Sequence, residues 1–543
     1  MTDGLGWGDA YSSTVERIKE QDEGKSRLGV AVLMWVIHAE RPLKADELCH
    51  ALAVELGSKD FNAGDTPLIS ILVGYCQGLI TVDKETSTVR LIHPTAKEYL
   101  STRTDIFSKP HSAMAEICLT YLNSRQVKAL SADPSTVAHH KPFLEYCSIY
   151  WGIHAKRELS DHARSLALEL LREYEDHISR KLLLTQINYL DSSGCAGNPS
   201  SDLGSDIDLP FSGLDCASFF GIVSLVATLS AMECYSDRIR TRAPTTLVWA
   251  ARNGQAEVVE LLVSDYTFGR NHRDYFCLTP LIHAVRRGHE RVVEILLRCG
   301  SVGPKCPDNH GRTALSYAAE GGLGELVEIL LQQQDVNPNE QDYSGNTPLS
   351  FAARNGHVRV VEILLEQRGI SPDKPNQDHQ TPLWYAASGG HEKVVKILLG
   401  QKGVGPDKPD NCGRTPLMCA AEGGHQDVVK ILLELENVNP NYSDHHDRTP
   451  LMYAAEGGHE KVVKILLERE NLDPNYPDGY GRTPLMWAIM NGHEGVVKIL
   501  LGRKEVNPNK PDNGGQTPLM FATRIRSEGM ITLLQSHSAE TPA

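Results

Sequence analysis

Along residues 481–500, GRTPLMWAIMNGHEGVVKIL, apolar positions gather at Leu485, Ala488 and Ile489, break at Asn-Gly, and resume at Val496, Val497, Ile499, Leu500 and Leu501. Each run has the spacing of a helix that buries one face. Thr483 suits an N-cap, where its hydroxyl accepts an otherwise unpaired backbone N–H. Pro484 follows at the first helical position, where a missing N–H costs nothing. Gly492 can stop the first helix in a left-handed conformation, and His493-Glu494 opens the second. The run EVNPNKPDNGGQ at 505–516 is too rich in Asn, Pro, Asp and Gly to continue a helix and has to turn.

This pattern recurs. Thr-x-Leu begins at Thr245, Thr279, Thr313, Thr347, Thr381, Thr415, Thr449, Thr483 and Thr517, always 34 residues apart. A weaker copy, SGLDCASFFGIVSLVATLS at 212–230, precedes the first by 33 residues and is expected to open the stack. One helix–turn–helix–loop unit cannot bury its own apolar faces, so the units must stack into a solenoid.

The stretch DNCGRTPLMCAAEGGHQDVVKILL at 410–433 resembles the ankyrin repeat almost letter for letter, and the resemblance covers about 211–538. The residue in excess of the usual period falls in the loop before V-N-P-N, a tolerant place for an insertion. Departures cluster at the ends, as expected for caps: Gln255 replaces the histidine of the first full unit, and Arg526-Ser527 replaces Gly-His in the last. The resemblance implies a protein-binding role through loop tips and the concave face.

The front half reads differently. A helix over LGVAVLMWVIHA (28–39), a turn at Pro42, a helix over KADELCHALAVE and a third over PLISILVGYC precede two strands, LITVD and VRLIH, and a helix from Pro94 to Leu100. Three helices and a two-stranded wing predict a winged-helix domain. DNA reading by its third helix would need Arg, Lys, Asn or Gln on the exposed face. That helix offers Leu68, Ile69, Ile71, Leu72 and Val73, with only Gln77 at its end, so a packing module is expected. GLITVD…VRLIHPTAKEYL, HSAMAEICLTYL and PFLEYCSIYWGIHA resemble the region that follows the nucleotide-binding domain in fungal NACHT–ankyrin (NLR-like, STAND) proteins, whose P-loop NTPase would lie upstream of Met1. The expected organisation is an N-terminal segment (1–27), a winged helix (28–104), a helical region (105–190), a Ser/Gly/Asp linker (191–210), a degenerate capping repeat (211–240) and nine repeats (241–543). The fold class is mainly α.

At 543 residues the chain exceeds one core, and its net charge of −15 argues against wrapping nucleic acid or lying on an anionic membrane. The longest strongly apolar run, 28–37, is about half a membrane span. The start lacks the basic and apolar regions of a signal peptide. Twelve cysteines with no C-x-x-C pair read as reduced thiols. A cytoplasmic or nuclear, monomeric protein without cofactor or metal is expected.

Candidate chemistry reduces to structure. Gly24-Lys25-Ser26 lacks the glycine and preceding strand of a P-loop. His272-Arg273-Asp274 mimics a kinase loop, but Asp274 shares its slot with Asp308, Asp342, Asp410, Asp444, Asp478 and Asp512, all five residues before a repeat threonine. The histidines after glycine (His289, His357, His391, His425, His459, His493) recur on units roughly 10 Å apart. That is too far for two to share one zinc, so they are expected to hydrogen-bond between units. His445-His446 stands at a tip. There is no G-x-S-x-G or H-E-x-x-H, and no enzyme is predicted.

Mapping the ankyrin contact positions places Arg252, Arg286, Arg287 and Arg354 in the early groove, with Glu422, Glu456 and Met490 later, so charge should run from basic to acidic. Tips carry Tyr275, Phe276, His310, Tyr343, His446 and Tyr480. Aromatics and Arg anchor interfaces. Trp249, Tyr317, Phe351, Tyr385, Tyr453, Trp487 and Phe521, two residues after the motif leucine, are expected to pack between units. The expected function is a non-enzymatic adaptor. The alternatives are a nuclear transcription co-regulator and an NLR-like signalling ATPase lacking its P-loop domain.

Overall fold

The computed structural model describes residues 7–61, 64, 66–130, 141–194, 211–232, 244–264, 273–274, 277–299 and 303–538. They fall into two compact units, 1–272 and 273–543.

The first unit begins with a helix the sequence reading left out, α1 (Trp7–Lys19). Its signal was present: Tyr11, Val15 and Ile18 share one face and are buried. Gly29 of α2 (Glu23–His38) lets the two helices close, since a Cβ there would stand 2.9 Å from Ile18 Cγ2. Gly24-Lys25-Ser26 lies in the first turn of α2, with Lys25 paired to Asp22. It forms no phosphate loop.

Helix α3 (Ala45–Leu52) starts where the Lys44 N–H donates to Glu47 Oε2 at 2.7 Å. The buried Glu47 is held by Arg41 through both guanidinium nitrogens, at 2.8 and 2.6 Å. Helix α4 (Ile69–Tyr75) buries Leu72 and leaves Leu68 and Ile71 exposed. The wing is antiparallel, β1 (Ile80–Val82) against β2 (Val89–Leu91), in the register Ile80↔Leu91 and Val82↔Val89. Leu43–Lys44 extends it, with the Val89 N–H donating to the Leu43 carbonyl. Helix α5 (Pro94–Ser101) closes the domain, and Tyr11 and Thr95 hydroxyls meet at 2.8 Å. These are the predicted helices and two-stranded wing.

The helical region follows as α6 (Pro110–Leu122), α7 (Arg125–Lys128), α8 (Phe143–Arg157), α9 (Asp161–Arg172) and α10 (Ile178–Gly194). Trp35 of α2, fully buried, meets Phe143 and Tyr146 of α8 edge-on at 5.5 and 5.7 Å. Helix α10 runs through 191–194, the first residues of the expected linker; 195–210 lie outside the described residues.

The weak repeat copy forms α11 (Gly213–Phe220) and α12 (Val223–Ser230), and the first full repeat α13 (Pro244–Arg252) and α14 (Ala256–Ser264). They join the helical region closely: a Cβ on Gly213 would stand 2.0 Å from the Leu171 carbonyl oxygen, and one on Gly152 2.2 Å from the Phe220 ring. Thr245 does not cap its helix, which starts one residue earlier; its hydroxyl and that of Thr246 donate to the buried Asp215 carboxylate at 3.0 and 2.7 Å.

The second unit holds eight repeats. Their first helices run from Pro280–Arg286 to Pro518–Arg524, and their second helices from Glu290–Arg298 to Glu528–Ser538. The threonine oxygen accepts the expected N–H at Thr279, Thr313, Thr347, Thr381, Thr415, Thr483 and Thr517. Thr449 is the exception: its buried Oγ1 caps nothing. Gly492 has the predicted positive φ, +79°. Val496, Val497, Leu500 and Leu501 are buried as read, while Ile499 is half-buried.

Candidate protein-binding surface

Each tip is built on a turn aspartate, except that Asn376 takes the slot before Thr381 and accepts the Asp378 and Gln380 N–H groups at 3.0 and 2.8 Å. Asp308 Oδ1 accepts backbone N–H groups of His310 and Arg312, both at 2.8 Å, and Oδ2 accepts the Tyr317 hydroxyl at 2.6 Å. The same clamp joins Asp444 to Tyr453 (2.7 Å), Asp478 to Trp487 Nε1 (3.0 Å) and Asp274 to His283 (2.7 Å). Burial and the facing Asp308 carboxylate push the Tyr317 phenol above its ordinary range, and burial with Asp444 does the same for Tyr453. Where the ladder residue is polar, as at Tyr317, Tyr453 and Trp487, it therefore braces the tip on its own helix. Asp274 acts as a turn residue.

Successive tips are tied edge to edge. The Tyr343 N–H donates to the His310 carbonyl at 2.8 Å, His445 to Cys412 at 3.0 Å, and Asn513 to Tyr480 at 2.9 Å. The helix ends are tied by the histidines. Nε2 of His357, His391, His425, His459 and His493 donates to the carbonyls of Glu320, Arg354, Ser388, Glu422 and Glu456, at 2.8–3.0 Å. Each ring also covers a glycine of the preceding unit, as His391 covers Gly356. In the first unit Gln255 does the same work, donating to the Phe219 carbonyl at 2.9 Å against Gly221. A side-chain N–H at that height is what the joint needs, and an amide supplies it as well as an imidazole.

A second seam, which the sequence reading missed, runs through the V-N-P-N loops. Asn441 Oδ1 accepts the Asp473 N–H at 2.9 Å while its Nδ2 donates to the Asn471 carbonyl at 2.6 Å. Asn339 and Asn475 repeat both bonds to their next units. Asp373 and Asp407 occupy the same slot and accept from Gly405 and Asn439, but each leaves Oδ1 buried without a partner.

The family described as ankyrin repeats (3 copies) matches residues 247–342, 324–410, 402–478 and 470–542. The chain belongs to the ankyrin-repeat proteins. Residues 15–109 are similar to the winged helix domain of GPI inositol-deacylase, a match that begins inside α1, upstream of the boundary read at residue 28. No curated protein matches the chain. Among the described residues of this ankyrin-repeat protein, no helix is long and apolar enough to cross a membrane.

The groove positions sort into two kinds. Arg286 and Arg354 are exposed and lie over the ladder rings of the next unit, Tyr317 at 5.3 Å and Tyr385 at 4.0 Å. Arg287 is exposed beside Arg286. Glu422 and Glu456 face arginines of their own units, Arg414 at 3.6 Å and Arg448 at 3.5 Å, so the acidic stretch is partly compensated locally. Met490 is half-buried. Arg252, in the first unit, lies over Trp249 at 4.9 Å. At the tips His310 and His446 are exposed, and Tyr343 and Tyr480 project at 66% and 64% exposure; Tyr275 and Phe276 lie outside the described residues.

Proposed function

We propose that this ankyrin-repeat protein is a non-enzymatic scaffold that captures another protein along the tips and concave face of the repeats. The observation that carries the reading is the outward projection of Tyr343 and Tyr480 from tips that are otherwise braced by hydrogen bonds. Rigid aromatics on a preorganised surface lose little entropy on binding and anchor interfaces. The exposed Arg286, Arg287 and Arg354 on the first helices favour a partner with acidic groups.

Affinity purification with mass spectrometry identifies the partner, and variants then test the surface. Reversing Arg252, Arg286 and Arg354 to Glu is expected to abolish capture in a pull-down, and Tyr343→Ala with Tyr480→Ala to weaken it by roughly tenfold or more. Capture unchanged in both variants sinks the groove assignment.

A second reading rests on the order winged helix, helical region and ankyrin array, which supports kinship with NACHT–ankyrin switches. An in-frame P-loop upstream of Met1 would support it. ATP hydrolysis by this chain alone would overturn the non-enzymatic reading.

A further inference from the structure

Where α2 ends, α6 begins and α8 passes beneath them, two imidazoles meet edge to edge. His111 Nδ1 and His154 Nδ1 are 2.9 Å apart, with the ring planes inclined by 24°. The Glu40 carboxylate joins them, and one ligand atom from each of the three residues lies within 4.8 Å of the others. Among the described residues no other group of three His, Cys, Asp or Glu side chains converges in this way.

Proton accounting sharpens the picture. Arg157 Nη1 stands 3.4 Å from His111 Nε2. A guanidinium can only donate, so that nitrogen accepts and the His111 proton sits on Nδ1. It is donated to His154 Nδ1, which leaves the His154 proton on Nε2, 2.9 Å from the Tyr146 hydroxyl. The Tyr146 oxygen also accepts the Glu40 backbone N–H at 3.1 Å. His154 therefore presents an Nδ1 lone pair toward His111 and Glu40 while its far nitrogen is held by a hydroxyl. That is the outer-shell support found around histidines that bind metals.

We propose that Glu40, His111 and His154 form a binding site for a late first-row divalent ion of the zinc class, with a fourth position open to water. Imidazole nitrogen and carboxylate oxygen suit that class of ion. Tetrahedral bonds of about 2.0–2.1 Å put ligand atoms about 3.4 Å apart, so the two rings need to separate by about 0.5 Å. Burial holds both imidazoles below their ordinary range. His154 is fully buried, whereas Glu40 and His111 are half-buried and remain partly open to solvent.

The competitor is Arg157, which pairs with Glu40 through both terminal nitrogens. Binding moves the His111 proton to Nε2, and the guanidinium, half exposed to solvent, gives up that contact. Once formed, the site joins three elements far apart in sequence. Binding to the folded chain alone stabilises it by mass action.

The test uses the full chain, stripped with a chelator and titrated with Zn²⁺ at neutral pH by calorimetry, with the unfolding midpoint followed in parallel. Wild type is expected to bind one ion and to unfold at higher temperature with zinc. His111→Asn and Glu40→Gln lose both effects. Tyr146→Phe binds roughly 10–100-fold more weakly, and Arg157→Leu roughly tenfold more tightly, because a nearby positive charge is gone. Should His111→Asn fail to fold, the opposite shifts of Glu40→Gln and Arg157→Leu decide. No stoichiometric binding by wild type, or no tightening in Arg157→Leu, overturns the proposal. So does loss of binding in His445→Asn with His446→Asn, which would place the ion at the tip.

Discussion

Histidine does two different jobs in the two compact units. In the second unit the histidine after Gly recurs every 34 positions from His357 to His493, reaches one carbonyl of the preceding repeat and covers one glycine. In the first unit each histidine has its own surroundings. His177 is buried, with Nε2 donating to the Leu122 carbonyl at 3.1 Å and Nδ1 against Ser179, and burial lowers its pKa to about 4. The first arrangement is set by period and needs only local chain. The second depends on α6 and the segment after α9 arriving at one place, a contact spanning 55 residues. A repeat spreads one solution over many joints, each of modest value, whereas an irregular core concentrates its stability in a few positions.

The sharpest break of that contrast is steric. Gly213→Ala would drive a Cβ into the Leu171 carbonyl and is expected to cost about 3 kcal/mol or more, because backbone must move. Gly400→Ala, at the end of a repeat helix with negative φ and 3.4 Å to its nearest neighbour, should change stability by less than about 0.5 kcal/mol. Urea unfolding of the two variants, with fluorescence and circular dichroism as probes, compares them directly.

Next in size is an effect of pH. The folded-state pKa of His177 lies below its unfolded value, so protonation favours unfolding. Its neutral-state contribution is complete above the unfolded pKa, near pH 6.5, and is lost as pH falls toward about 4. Between pH 7 and pH 4.5 the first unit should lose about 2 kcal/mol through this group. His177→Gln, measured by denaturant midpoints with chelator present, should flatten that dependence, and an unchanged slope would remove His177 from the account.

A smaller test lies in the loop seam. Asp407→Asn restores the donor that Asn339, Asn441 and Asn475 supply, and should stabilise the array by about 1 kcal/mol. Burial raises the Asp407 pKa, so its proton contributes stability at low pH that is lost as pH rises through the folded value. The advantage of Asn should therefore grow with pH across the carboxylate range. Last, Arg526 stands at φ +58°, where the other repeats have glycine, and Arg526→Gly should add about 0.5–1 kcal/mol to the final repeat. Thermal melts read both.

The repeats were legible residue by residue because their determinants are local. The caps at Thr279 to Thr517, the aspartate turns and the histidine joints follow from spacing, and the departures are Thr449 among the caps, Asn376 among the turns, and Leu323 and Ser527 among the joints. The candidate surface was legible as positions but not as an electrostatic field. Nothing in the spacing told that Arg414 and Arg448 would face Glu422 and Glu456, or that Arg354 would lie on a ring of the next unit. Helix α1 was readable from Tyr11, Val15 and Ile18, whereas Thr245 lost its cap role because Pro244 starts the helix a residue earlier and Asp215 takes the hydroxyl.

By itself, then, the sequence determined the mainly helical class, the winged helix and the 34-residue unit, because periodicity, capping and turn chemistry act over a few residues. Only tertiary structure decided that the weak repeat copy seats Gly213 on Leu171, and that Glu40, His111 and His154 meet. Those contacts join residues 42 to 114 positions apart, and no local pattern records a distance that only the packing of whole helices closes.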